Sequence, residues 1–311
     1  MFEQFILAVT IVIPLFLMGF TGYLLNKFNF FSQTTFKQIN NVVFTILLPI
    51  YLFLGISQSD LSAFNNGRLV LFVIVALFLT YMLALWITPI IEKDNCKRGV
   101  MIQGIIRSNY VILGFPLMAA LYSEKETAIT ALILAISMPI LNPMCIIALE
   151  MYRKQKPNFK ELVIGILKNP LIIATCAGIL ALILQINFPV VLLRTATDLG
   201  RLGTPLALLA LGGTMQFDSF RSNFKSLSVT LFLKLILIPS FALTAGILLG
   251  FSAIEVTALM ILFATPTAVV SYTTAVKMEG DGQFAQQIVI LSTILSVFTL
   301  VLWITLIQTI A

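Results

Sequence analysis

Histidine is missing from all 311 residues, and charge is scarce: 10% of the chain is Asp, Glu, Lys or Arg, against about 25% in a soluble domain. Without histidine there is no HExxH metalloprotease chemistry and no histidine proton relay. No GxSxG elbow and no Walker A loop occurs either. The three cysteines, Cys96, Cys145 and Cys176, lie far apart with no CxxC spacing, which points to neither a metal site nor a disulfide framework. No constellation in the chain is catalytic, so no enzyme, metal centre or organic cofactor is expected. Acids are fewer than bases, 13 against 19, and none lies clearly in the middle of an apolar run. The net charge of +6 is strung along short polar stretches, the pattern of membrane orientation rather than of nucleic-acid binding.

What the chain has in abundance is apolar length. Hydrophobic residues make up 59% of it and the mean hydropathy is +1.04. The expectation is an all-α polytopic membrane protein with ten transmembrane helices at 5–26, 35–57, 68–91, 99–122, 127–150, 163–185, 192–215, 226–250, 254–277 and 285–309. The first run follows Glu3 with no basic segment before it and reads as a span rather than a cleaved signal peptide. The polar stretch Glu150–Glu161 divides the chain, giving a first five-helix repeat (1–150), a linker loop (151–162) and a second five-helix repeat (163–311).

With five spans in each half, a repeat must enter the membrane inverted. At a constant offset of 156, Pro14 and Leu15 meet Pro170 and Leu171, Gly22 meets Gly178, Pro49 meets Pro205, and Asn109 meets Thr265. Thirteen of the nineteen basic residues fall on one side of the spans and four on the other. The richer side is expected to be cytoplasmic, with the 150–161 loop there, both termini outside, and the protein in the inner (plasma) membrane. Trp86 and Trp303 lie near span ends and are expected at the membrane interfaces.

Two spans are interrupted where an unbroken helix is expected. Asn109, Gly114 and Pro116 break the fourth; Thr265, Pro266 and Thr267 break the ninth. Proline removes a backbone donor and clashes one turn back. In lipid, the freed groups persist only where protein buries them or a polar cavity takes them up. Paired breaks in corresponding halves are a pointer to a transporter's binding site. Converging half-helix ends would hold an organic carboxylate with N–H groups and the side chains of Asn109, Ser108, Thr265, Thr267 and Ser271. Either proline alone reads equally as an ordinary kink.

Two basic residues remain inside the membrane, Arg107 and Lys234, each roughly 12 Å into its span. Both readings stay open for them: a long stem that snorkels to the interface, or a charge that attracts an anionic substrate, with Arg107 the stronger case beside the Asn109 break. Buried bases without buried acids suit an anion better than a cation. Asp198 is a coupling or gating candidate, or simply the partner of Arg201 one turn on. Asn41, with Asn40, and Asn142 either line the cavity or bond neighbouring helices.

Several stretches resemble the auxin efflux carrier family: KNPLIIATCAGI at 168–179, TPLALLALGGTM at 204–215, KLILIP at 234–239 and TPTAVVSYTTA at 265–275, with NYVILGFPL at 109–117 similar to the family's fourth span. The resemblance covers essentially the whole chain. It implies a fold like that of sodium–proton antiporters and bile-acid symporters: two inverted five-helix repeats, crossed broken helices, a scaffold and a transport domain each drawn from both repeats, elevator-type movement and a homodimer. It implies carriage of a small organic anion, a dicarboxylate such as malate or malonate as in bacterial permeases, or an auxin-like carboxylate, with Na+ or H+ as candidate coupling ions. The chain departs from plant members in having a central loop of only about a dozen polar residues. Two other readings stand beside this one: a sodium-coupled bile-acid-type symporter of amphipathic anions, and a membrane ligand sensor that does not translocate.

Overall fold

The computed structural model describes residues 2–58, 66–114, 117–118, 121–122, 124–152, 160, 163–164, 167–214 and 223–310. Pro116 lies outside them. The described chain is helical, and the single β-type pairing among the described residues is an isolated antiparallel bridge between Ser108 and Thr267. The helices are α1 (Phe2–Lys27), α2 (Gln33–Val42), α3 (Leu48–Ser57), α4 (Gly67–Ile91), α5 (Asn95–Ile106), α6 (Glu124–Met151), α7 (Pro170–Ile183), α8 (Val190–Gly213), α9 (Phe224–Phe232), α10 (Ile238–Leu248), α11 (Ala253–Ala264), α12 (Val270–Lys277) and α13 (Gly282–Ile310).

Their ends follow the local chemistry. Asn66, Asp94 and Asn169 cap α4, α5 and α7 with side-chain oxygens, and Ser252 with Glu255 forms a capping box on α11. Two π-helical turns, Val43–Leu47 and Leu233–Leu237, join α2 to α3 and α9 to α10. A proline follows each by two residues, Pro49 and Pro239. Its ring has no N–H and crowds the carbonyl four residues back, and widening the helix relieves the crowding. The carbonyl that Pro239 leaves free is that of Leu235, and the Trp303 indole N–H donates to it at 3.0 Å. Trp303 is buried within the protein, where its donor completes a broken helical ladder. Trp86 is exposed.

Among the described residues, five continuous helical segments are long and apolar enough to cross a membrane: Gln33–Ser57, Gly67–Ile91, Leu132–Met151, Phe224–Leu248 and Gly282–Thr309. Their outer faces carry bare apolar side chains such as Leu79, Trp86, Phe241 and Leu248, which water would not tolerate in such density. The protein is a polytopic helical membrane protein. The interrupted segments appear as α5 followed by residues 107–114, and as α11 followed by residues 265–269 and α12.

The helices pack in two groups that also touch, α1 against α13 and α6 against α7. In one, α1 lies along α8, α3 lies along α7, and α8 also contacts α2 and α3. In the other, α4, α5 and α6 pack together, and α9 to α12 pack around α13. Glycines set the closest approaches in the first group. A Cβ on Gly22 would overlap the Leu209 carbonyl, and one on Gly178 would meet the Phe53 carbonyl at 3.1 Å.

Candidate functional site

The two interruptions meet. Past Ile106 the chain turns extended at Arg107, and past Ala264 it turns extended at Thr265. The two extended stretches pair antiparallel: the Asn109 N–H donates to the Pro266 carbonyl at 2.8 Å, and the Ala268 N–H to the Arg107 carbonyl at 3.3 Å. The side chains close the crossing with a reciprocal pair of bonds. The Ser108 hydroxyl donates to the Leu262 carbonyl, and the Thr267 hydroxyl donates to the Gly104 carbonyl at 2.7 Å. Both carbonyls belong to the last turn of a half-helix, where no intrahelical partner exists. Each span thus satisfies the orphaned end of the other. Ser292 of α13 adds a hydroxyl that accepts from the Thr267 N–H at 3.1 Å.

Beside this crossing, where the two helix groups face each other, lies a cavity of about 70 Å³. One wall is Arg107, Ser108, Asn109 and Asn142; the facing wall is Tyr51 of α3 and Thr204 of α8, with apolar side chains between. By the usual measure of about 10–15 Å³ per water, it has room for a handful of waters or one small organic acid.

The electrostatics are one-sided. Arg107 is 6% exposed and Lys234 2%. Arg107 Nη2 donates to Asn142 Oδ1 at 2.9 Å, and Nη1 reaches the Gln103 amide oxygen at 3.2 Å. Its other neighbour is the buried thiol of Cys145. Lys234 Nζ donates to the Ser108 hydroxyl, 126 residues away in the chain. Among the described residues no carboxylate acts on either cation. Burial of a charge without a counter-ion is costly, and proteins keep such charges in membrane segments where function needs them. Two amide groups add to this: Nδ2 of Asn109 and Nδ2 of Asn142 are buried in the same cavity wall with no hydrogen-bond partner. Unmet buried donors are rare and call for an explanation. An anion in the cavity would meet a guanidinium and two amide donors.

The sequence-derived candidates separate into three sets. Arg107, Ser108 and Asn109 line the cavity. Thr265, Pro266 and Thr267 are buried in the crossing itself, and both threonine hydroxyls are committed to backbone carbonyls, Ile261 at 2.8 Å and Gly104. Ser271 is buried close by, with an unpartnered hydroxyl and its carbonyl toward Gln103. Gly114 is a packing position, since a Cβ there would overlap Ile261 of α11. Lys234, an even choice between snorkelling and function on sequence grounds, points to the crossing. Asp198 and Asn41 lie elsewhere: Asp198 is exposed on α8, and Asn41 is exposed on α2, where it accepts from Lys277. Tyr51, Ser137 and Thr204 line the cavity without having been singled out, because nothing local distinguishes them from residues that bond a neighbouring helix.

A polytopic helical protein with two interrupted helices joined beside a cavity that holds a buried arginine has the architecture of a membrane transporter. The chain belongs to the membrane transport protein family, that of the auxin efflux carriers, whose profile it matches over residues 7–304. It is also similar to an uncharacterized transporter of Methanocaldococcus jannaschii, at 23% identity over 307 residues, spanning 94% of this chain and 96% of the relative.

Proposed function

We propose that the protein carries a small dicarboxylate of malonate or malate size across the inner (plasma) membrane by alternating access. The observation that carries this reading is the buried Arg107 guanidinium in the cavity wall beside the unmet amide donors of Asn109 and Asn142, with the Lys234 amine behind them on the Ser108 hydroxyl. A dianion meets the guanidinium and the amides, and its second charge offsets that of Lys234 when protonated. The cavity volume suits a small acid better than a bulky amphipathic one.

The pattern of paired elements supports ten spans in two inverted repeats. Gly67–Ile91 and Phe224–Leu248 each have 25 residues, α5 and α11 each have 12, and α6 and α13 have 28 and 29. The glycine contacts obey the same relation. Shifted by 156 residues and exchanged between halves, the meeting of Gly22 with Leu209 becomes that of Gly178 with Phe53. The position of the cavity between two helix groups supports elevator-type movement, with the group containing the crossing carrying the site past α3 and α8. The distribution of basic residues favours outside termini and a cytoplasmic 150–161 loop. The homodimer implied by the family resemblance remains part of the proposal.

The test is uptake of labelled malonate into proteoliposomes holding the purified protein, beside Asn109→Ala. Saturable uptake that the variant loses, with its thermal melting unchanged, is expected. Equal uptake by the folded variant would remove the crossing as the site.

A further inference from the structure

The two cations also bear on how such a carrier cycles, an inference that rests on the proposed function. Arg107 and Lys234 both belong to the helix group that contains the crossing. The guanidinium keeps its charge at any physiological pH, and Lys234 adds its own when protonated. Around them stand neutral groups: Asn142, Gln103 and Cys145 for Arg107, Ser108 and Cys145 for Lys234. Two carboxylates of the same group lie at helix ends and are engaged there. Glu92 accepts from Ser226 and from the Asp94 N–H; Glu255 accepts from Asn66 and Ser252. Neither acts on the two cations.

The unloaded site therefore holds positive charge, at Arg107 in the cavity wall and at Lys234 behind Ser108, that no described carboxylate cancels, and a bound dianion offsets it. Charge is penalised on passage through hydrocarbon. The loaded helix group crosses with its charge masked, whereas the empty group must drag it bare. We infer that the protein is an anion exchanger, returning through the membrane efficiently only with a second carboxylate on board. One anion enters for each that leaves, with no covalent step and no coupling cation required.

Initial uptake of labelled malonate is measured into two sets of proteoliposomes, one preloaded with unlabelled malonate and one free of any carboxylate. Preloading is expected to raise the rate at least tenfold. In Lys234→Met the ratio of the two rates is expected to fall severalfold, while Lys234→Arg keeps it. Because each ratio is taken within one preparation, a smaller folded fraction does not move it. Equal rates for the native protein would overturn the exchange mode while leaving a carboxylate carrier intact. A high native ratio unchanged in Lys234→Met would overturn the charge argument. Absence of uptake in both sets, from folded protein, would sink the proposed function itself.

Discussion

Ser108 and Thr267 face each other across an antiparallel bridge, and each hydroxyl caps the helix end that belongs to the other's span. The arrangement solves a membrane-specific problem. Two helices are stopped in mid-membrane, and the carbonyls exposed by stopping them need donors that lipid does not supply. The reciprocal caps fix the crossing rigidly and leave the side chains of Arg107 and Asn109 beside it for a ligand.

Replacing Asn109 by Asp sets a carboxylate into the cavity wall next to Arg107. The introduced charge takes the place of the bound anion, so malonate uptake is expected to fall by at least tenfold, a charged hydrogen bond being worth about 1.5–3 kcal/mol. The same substitution supplies the missing counter-ion, so the melting temperature in detergent is expected to rise. A variant that loses uptake and melts lower would contradict the view of the cavity as an uncompensated cationic site.

Gly22 and Gly212 allow α1 and α8 to touch backbone to backbone: a Cβ on either would overlap a carbonyl oxygen of the facing helix, Leu209 or Gly19. Gly22→Ala and Gly212→Ala are each expected to cost about 1–3 kcal/mol, the usual range for overpacking. Gly67 at the start of α4 has nothing within 4 Å of such a Cβ, so Gly67→Ala is expected within about 0.5 kcal/mol of the native protein. Thermal unfolding of the three variants in one detergent checks the contrast, and equal effects at all three positions would refute the close approach.

Glu92, between α4 and α5, ties that loop to α9. Burial works to raise its pKa, but the Ser226 hydroxyl at 2.6 Å, the Asp94 N–H at 2.9 Å and the charge of Lys97 outweigh it. The carboxyl is held below its ordinary range. A folded-state pKa below the unfolded one gives stability that is complete above the unfolded value and lost as pH falls through the folded one. Melting temperature is therefore expected to drop on acidification below the ordinary carboxylate range. Glu92→Gln is expected to start lower near neutrality and to lose less over the same descent. An identical acid limb in the variant would assign the effect to other groups.

Some of this is legible in the chain itself. The breaks at Asn109 and at Thr265–Thr267 stood out because proline and polar side chains are conspicuous in an apolar run, and they do join. Other readings needed the fold. Trp303 is one of two tryptophans near span ends, and only the fold shows that its indole serves the carbonyl freed by Pro239, on a different helix. Thr265 and Thr267 looked like substrate ligands because hydroxyls at a break are suited to that. Their bonds go instead to carbonyls of the half-helices, a demand visible only once both stops are seen in contact. Asn142 could not be told from a packing residue until Arg107 was found against it.

By itself, the sequence determined the class of protein and the place of the interruptions. Apolar length commits a segment to lipid, and proline, glycine and asparagine stop a helix by local chemistry that needs no partner. Tertiary structure alone decided which groups the interruptions face. Lys234 bonds Ser108 across 126 residues, and two amides are left unmet beside Arg107. Whether a buried charge or donor is satisfied depends on neighbours brought by other helices, and no local pattern in the chain encodes them.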